Sequence, residues 1–399
     1  MHRAVLTRAA VALAVLAAGA GTTWVVLSSD SSTPVIRASG PRPQPAPSPV
    51  ARVLRAKGDV VPWDAPLQVT VANGTITSVN ATGPDGLALP GMLGPAGWVS
   101  TTELLPRASY TVHVELRNGD GVASSYDRTV HASAPKLELK ANISPNGGTY
   151  GIGQPVVVRF NHAVKGAGAR RAVLQRLTVT TTPPVAGAWR WYNSYEVHYR
   201  GPSYWKPRTT VEVTADMAGL RVPGTDVWGA LDRRSGGMTI GDALIGTVDI
   251  ATHKMTVTRN GKVVRVFNIS AGRKEYPTKG GVHIVLVREK EHLYNSATIG
   301  IPTASPDGYY HKLPWSVRIS NGGAFVHANP ATVRFQGSTN VSHGCVNASL
   351  EDARWFYDNS HLGDIVNVVN AVVGPTLWDA GMADWNYSWK TWQQGNLTG

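Results

Sequence analysis

The residue best suited to covalent chemistry is the single cysteine, Cys345, within Ser342-His343-Gly344-Cys345-Val346-Asn347. A lone cysteine cannot form an intramolecular disulfide, which excludes the usual structural role of an exported cysteine. A thiol attacks as thiolate and needs a base or a positive neighbour, which an adjacent histidine can supply. Gly344 allows a sharp turn, so we expect the amides of Gly344 and Cys345 to face a developing oxyanion. The pattern therefore favours a nucleophile over a buried small hydrophobe.

Two histidines are candidate bases for this thiol. His343 lies two residues before Cys345, so both side chains leave the same face of an extended segment. His327 ends a separate apolar strand, Ala324-Phe325-Val326. Local geometry leaves both open. The same three side chains could be read as zinc ligands, but their spacing is unlike known zinc sites, so we predict no metal.

His327, fourteen further residues and then the Ser342–Asn347 segment resemble the signature of the L,D-transpeptidases, the YkuD-type catalytic domain. Pro302–Tyr309 resembles the active-site lid of the actinobacterial, mycobacterium-like subgroup. Gly363-Asp364-Ile365-Val366 and the tail with Trp389 and Trp392 resemble that subgroup too. The resemblance covers about residues 136–399.

The resemblance assigns roles to individual residues. It makes Cys345 the nucleophile and His327 the base, and it gives His343 a supporting role near the thiol. Tyr309 is the lid tyrosine that covers the bound stem peptide. Ser342 and Asn347 are predicted beside the substrate, with the Asn347 side chain tying the loop.

Two positions depart from the pattern of many relatives. Ala328 stands where a serine follows the base, and Ala331 lies near the place of a tryptophan. Ala328 is harmless if a backbone carbonyl orients His327. If the serine hydroxyl of the relatives orients that histidine, Ala328 leaves it less firmly held. The second change affects the shape of the pocket.

The resemblance also implies a reaction without metal or organic cofactor. Cys345 attacks the carbonyl of the third residue of a peptidoglycan tetrapeptide stem and expels the terminal D-alanine. The side-chain amine of a neighbouring diaminopimelate then resolves the thioester. Carbapenems are expected to acylate the thiol. The alternatives are an L,D-carboxypeptidase, in which water replaces the amine, and a non-catalytic wall-binding scaffold. A papain-like or NlpC-type peptidase would place its cysteine before its histidine.

The composition predicts a mainly β protein. The 399 residues include 42 glycines and 26 prolines, with many short Val/Thr-rich runs separated by turn signals. The net charge of +12 suits an anionic partner such as a membrane surface or cell wall. No arginine-rich run or nucleic-acid motif is present, so we predict no nucleic-acid partner.

Composition shifts divide the chain into six segments. The first, with Arg3 and Arg8 before an apolar run, is typical of export, either as a cleaved signal or as a single membrane anchor. We therefore expect an extracytoplasmic, wall-facing protein. The second alternates proline and predicts an extended spacer of roughly 30 Å. The predicted segments are 1–28, signal or anchor; 29–50, linker; 51–134 and 135–241, immunoglobulin-like β-sandwiches; 242–373, catalytic domain with a short helix after the nucleophile; and 374–399, a tryptophan-rich segment packed on the catalytic domain.

Overall fold

The computed structural model describes residues 44–375, 377 and 382–398. The chain divides after Ala134 into two compact units. The predicted signal or anchor and most of the proline-rich linker lie outside the described residues. Within the described ranges, no helix has the length and apolar character needed to cross a membrane.

The first unit is a sandwich of two four-stranded sheets. Its strands are β1 (Val50–Val53), β2 (Val60–Val61), β3 (Gln68–Ala72), β4 (Thr75–Thr82), β5 (Gly91–Gly94), β6 (Gly97–Ser100), β7 (Ser109–Arg117) and β8 (Ala123–Ala132). The sheets have the orders β1-β3-β6-β5 and β2-β8-β7-β4. Buried Val112 and Val114 alternate with more exposed neighbours along β7, the period-2 pattern of a half-buried strand.

The second unit begins with another sandwich. Its elements are β9 (Leu137–Leu139), β10 (Ala141–Ser144), β11 (Asn146–Tyr150), β12 (Val156–Phe160), α1 (Ala167–Leu174), β13 (Leu177–Thr182), β14 (Ala188–Trp191), β15 (Glu196–Arg200), β16 (Thr210–Ala215), β17 (Val227–Gly229) and β18 (Arg234–Ile240). The main sheets are β10-β12-β15-β14 and β11-β18-β16-β13, and β17 pairs with β9.

A third domain follows in the same unit. Its elements are β19 (Leu244–Asp249), β20 (Lys254–Arg259), β21 (Lys262–Asn268), β22 (Gly281–Ile284), β23 (Val287–Asn295), β24 (Tyr310–Arg318), β25 (Phe325–Ala328), β26 (Val346–Ala348), α2 (Leu350–Asn359) and β27 (Ile365–Val369). Two sheets, β21-β20-β19-β27-β22 and β23-β24-β25-β26, enclose its apolar core. The short helix α2 follows the cysteine, as predicted, and Ser349 caps it by accepting the amide of Asp352 at 3.1 Å.

The second sandwich and the third domain share one apolar cluster, which Ile284 and Ile365 join from the third domain. The backbones touch at two glycines: the amide of Gly151 donates to Leu362, and that of Gly153 donates to Gly363. A Cβ at Gly151 would lie 2.2 Å from Asp364. The close approach explains why glycine is required there and makes these two domains one packed body.

The tail corrects one prediction. The 3-10 turn Ala383–Asn386 does contact the third domain, because the Asn386 side chain bonds the backbone of Val282 in both directions at 2.8 Å. The three tail tryptophans that the structure describes, however, pack on the second sandwich. Trp392, on α3 (Trp389–Trp392), donates to Ala188, and the rings of Trp385, Trp389 and Trp392 surround the buried guanidinium of Arg200. Cation–π contacts with the buried Arg200 therefore hold these rings on the second sandwich.

Candidate active site

The cysteine lies at the end of a tightly held loop. Ser342 closes this loop: its hydroxyl donates to the carbonyl of Cys345 at 2.6 Å and accepts the amide of Gly344 at 3.1 Å. Gly344 has φ +115°, a conformation that a side chain would strain. Cys345 then leads directly into β26. The loop therefore presents the thiol in one defined direction.

These contacts correct one prediction. The amide of Gly344 is already bonded to Ser342, so it does not face a reacting carbonyl as predicted. The Cys345 amide is the remaining donor of the predicted pair. The Ser342 hydroxyl is used inside the loop, and the residue also lines the cavity of Cys345 and His327, so its contact with substrate stays a prediction.

The thiol of Cys345 is held in its neutral form. Burial raises its pKa to about 11, although the backbone of Phe325 and the charge of Arg318 act in the opposite direction. Its Sγ donates to the carbonyl oxygen of Gly323 at 3.7 Å. A base is therefore required to remove the proton when the thiol attacks.

His327 is positioned beside the thiol by the sheet. Strands β25 and β26 run parallel, with His327 opposite Asn347 and Val326 opposite Val346, the residue after Cys345. His327 and Cys345 line the same cavity. The Nδ1 of His327 donates to the carbonyl of Ala328 at 2.9 Å, which leaves Nε2 as the unprotonated nitrogen. Burial lowers the pKa of His327 to about 4, so the ring is a neutral proton acceptor.

His343 lies between two aromatic rings, with ring centroids 4.8 Å from Tyr276 and 4.9 Å from Tyr309. Burial and the charge of Arg273 lower its pKa, and a hydrogen bond to the backbone of Asp307 partly offsets them. Its Nε2 is buried and has no hydrogen-bond partner among the described residues.

The lid, residues 302–309, turns back on itself between β23 and β24. A Cβ on Gly308 would lie 2.2 Å from the carbonyl oxygen of Thr303, so the turn requires glycine. Tyr309 is anchored by bonds in both directions with Ser296, each of 3.0 Å. Burial and the nearby Cys345 raise the pKa of Tyr309 to about 12, and the residue lines both cavities that reach the thiol.

Asn347 is buried and ties the loop through its backbone. Its amide and its carbonyl each bond Ser270 at 2.9 Å. The predicted hydrogen bonds of the Asn347 side chain stay a prediction. The main-chain bonds join β26 to the segment that contains Ser270.

Sequence reasoning missed the facing loop, residues 271–280. Buried Thr278 donates to the carbonyl of Gly344 at 3.0 Å and accepts the amide of Gly272 at 2.8 Å, so it connects this loop to the nucleophile. Arg273 and Tyr276 reach the lid at Asp307. The only local signal was a turn-rich, polar stretch between two strands, which says nothing of its distant partners.

Two cavities meet at Cys345. One lies between the facing loop and the segment around Gly323, and the other runs past His327, His311 and Asn329. Within the described part of the chain, neither is lined by an aspartate or a glutamate. Over the same ranges, no three His, Cys, Asp or Glu side chains converge to hold a metal ion.

Comparison with known proteins agrees with this architecture. Residues 245–368 match the family model of the L,D-transpeptidase catalytic domain, and residues 58–221, which span both sandwiches, match that of the bacterial Ig domain. The fold class predicted from the sequence is therefore confirmed, a mainly β protein whose immunoglobulin-like sandwiches precede a YkuD-type catalytic domain.

The chain belongs to the L,D-transpeptidase family and is a transpeptidase enzyme. L,D-transpeptidase 2 of Mycobacterium tuberculosis is 38% identical over 336 residues, which cover 84% of this chain and 81% of that protein. L,D-transpeptidase 5 of the same species is 33% identical, covering 88% and 77%. The solved structure of LD transpeptidase LdtMt1 in complex with imipenem is 36% identical and covers 59% of this chain and all of that one, with a TM-score of 0.50.

Proposed function

We propose that this enzyme cross-links peptidoglycan through an acyl-enzyme on Cys345. The donor is a tetrapeptide stem, and the product is a link between the third-position diaminopimelate residues of two stems. One observation carries the proposal: a half-buried neutral thiol shares a cavity with a neutral histidine whose Nδ1 is bonded to Ala328. The remaining nitrogen of His327 is then free to take the thiol proton.

The reaction follows from this pair in two half-steps. His327 Nε2 takes the proton as Sγ attacks the carbonyl of the third residue, and the Cys345 amide stabilises the oxyanion. The carbon–nitrogen bond to D-alanine breaks, and His327 returns the proton to the leaving amine. In the second half, the acceptor amine attacks the thioester and gives up a proton to His327, which passes it to the departing thiolate.

One feature supports transfer to an amine over hydrolysis alone, and a second supports the binding of stem peptides. Two cavities reach the same sulfur, which provides separate places for donor and acceptor. Stem peptides carry carboxylates, and the absence of acidic side chains from the described linings removes charge repulsion.

The same thiol is proposed to react with carbapenems. The support is a relative, LdtMt1, whose structure was solved in complex with imipenem. Opening of the β-lactam ring by Sγ would leave a covalent thioester that reports on acylation alone.

We further propose that the enzyme acts outside the cytoplasmic membrane, on the cell wall. The basis is the positively charged, then apolar, start of the chain and its net charge of +12. Fractionation of cells that express the full chain checks this, and recovery of the protein in the cytosol alone would contradict it.

The products of the reaction test the function. Disaccharide-tetrapeptides are incubated with the purified protein, and the resulting muropeptides are identified by mass spectrometry. A cross-linked dimer with loss of D-alanine supports the proposal. A trimmed tripeptide alone indicates an L,D-carboxypeptidase, and unchanged substrate indicates a wall-binding scaffold.

A further inference from the structure

Asp307, near the end of the lid, contacts the rest of the site in three ways. Its Oδ1 accepts from Arg273 Nη2 at 2.5 Å, and its Oδ2 accepts from the Tyr276 hydroxyl at 3.2 Å. Its backbone lies close enough to the His343 ring for a hydrogen bond between them to raise the pKa of that ring. One lid residue therefore touches both the facing loop and the nucleophile loop.

The contacts continue as a stack toward the thiol. The Arg273 guanidinium lies 4.7 Å from the Tyr276 ring centroid, and that ring lies 4.8 Å from His343. Tyr309 covers the other side of His343 at 4.9 Å. His343 is thus clamped between the lid and the facing loop, two residues before Cys345.

The clamp has a chemical consequence at His343. A carbonyl oxygen can only accept, so the ring nitrogen that bonds Asp307 carries a proton. The other nitrogen, Nε2, is buried without a partner in the described ranges. A neutral ring held in this way keeps one tautomer, with its proton on the nitrogen that faces Asp307.

We propose that Asp307 is a positioning residue: its carboxylate latches the lid to Arg273 and Tyr276, and its carbonyl then holds the His343 ring in one tautomer beside the nucleophile loop. This inference rests on the proposed function, because it assigns the latch to peptide transfer at Cys345.

The test compares variants of the full chain that release the latch from either side. Asp307→Ala removes the carboxylate and keeps the backbone carbonyl, and Arg273→Ala removes its partner. Glu275→Gln is the matched control, because Glu275 lies 3.5 Å from the same arginine but outside the lid. The probe is imipenem, and its rate of ring opening measures acylation.

We expect Asp307→Ala and Arg273→Ala each to slow acylation about threefold to tenfold. The effect is modest because the lost hydrogen bond is charge-assisted but its carboxylate is about half exposed to solvent. The double variant should be no slower than the slower single one, because both single variants already break the bond between Arg273 and Asp307. Glu275→Gln should stay within about twofold of the wild type. Additive losses, or an unchanged rate in Asp307→Ala, would overturn the latch.

A second readout does not depend on activity. Nitrogen-15 spectra of the histidine rings distinguish protonated from unprotonated nitrogens, and His343→Gln identifies the relevant signals. The wild type should show one tautomer at His343, and Asp307→Ala should show a mixture at an unchanged thermal midpoint. A single unchanged tautomer in Asp307→Ala would overturn the positioning role.

The two readouts keep the two proposals apart. A wild-type protein that shows the clamped tautomer but forms no cross-linked dimer contradicts the proposed function and not the latch. If Asp307→Ala does not fold, Asp307→Asn keeps the side-chain size without the charge and is held to the same outcomes.

Discussion

The Nδ1 of His327 donates a 2.9 Å hydrogen bond to the carbonyl oxygen of Ala328, the next residue in the chain. A backbone acceptor is present whatever side chain follows the histidine. The replacement of serine by Ala328 therefore leaves this orienting contact in place, and His327 is held with Nε2 free in the cavity of Cys345.

His327→Ala should slow acylation by imipenem about a hundredfold or more, the usual scale for loss of a general base. The neutral, half-buried thiol then has no acceptor for its proton. His343→Ala, which leaves His327 in place, provides the comparison. An unchanged acylation rate in His327→Ala would show that the base is wrongly assigned.

The rate of acylation should be nearly independent of pH between about 5 and 10. The pKa of His327 is lowered to about 4 and that of Cys345 is raised to about 11, both by burial, so the neutral pair persists across this interval. The rate should fall only as His327 gains a proton near pH 4. A reaction through preformed free thiolate would instead rise tenfold per pH unit, and stopped-flow measurement distinguishes the two.

Thr278→Val should lower acylation about tenfold, whereas Thr278→Ser should stay close to the wild type. Valine keeps the shape but leaves the carbonyl of Gly344 and the amide of Gly272 without their partner, at a cost of about 1 to 3 kcal/mol. Serine retains the hydroxyl. Rates and thermal midpoints of both variants are measured together. Equal rates for valine and serine would show that the facing loop does not position the nucleophile.

Deletion of residues 374–399 should destabilise the second unit by several kcal/mol. Three arginines of the second sandwich donate to tail carbonyls and would lose these acceptors: Arg170 to Asn396, Arg190 to Thr391 and Arg200 to Tyr387. A chain that begins at Ala134 and keeps the tail is the control, and we expect it to retain acylation. If the tail-deleted chain melts at the wild-type temperature, the tryptophans are not core, and a glycan-binding role becomes the better explanation.

Local patterns in the sequence predicted local structure well. Asn260-Gly261 between two valine-rich runs predicts a two-residue hairpin, and the hairpin forms with φ of 50° and 80° at these residues. Ser349 before two acidic residues predicts a helix start, and its side chain caps α2. The Cys345 and His327 pair was found because its motif is specific. Each of these signals is contained in a few neighbouring residues.

What the sequence could not reveal depends on distant contacts. Thr278 meets Gly344 across 66 residues, and the tail meets the second sandwich across about 200, so no local pattern predicts either partner. The bonded amide of Gly344 was also missed, because the hydroxyl of Ser342 reaches it only through the turn of the loop. Tertiary packing decides the first two, and the turn of the loop decides the third.

The most direct test of the account is the mass of the intact protein after incubation with a disaccharide-tetrapeptide and no acceptor amine. The account predicts an adduct equal to the donor minus D-alanine, located on the peptide that contains Cys345 and absent from Cys345→Ala of unchanged thermal midpoint. An adduct on another residue, or cross-linking by a folded Cys345→Ala protein, would contradict it.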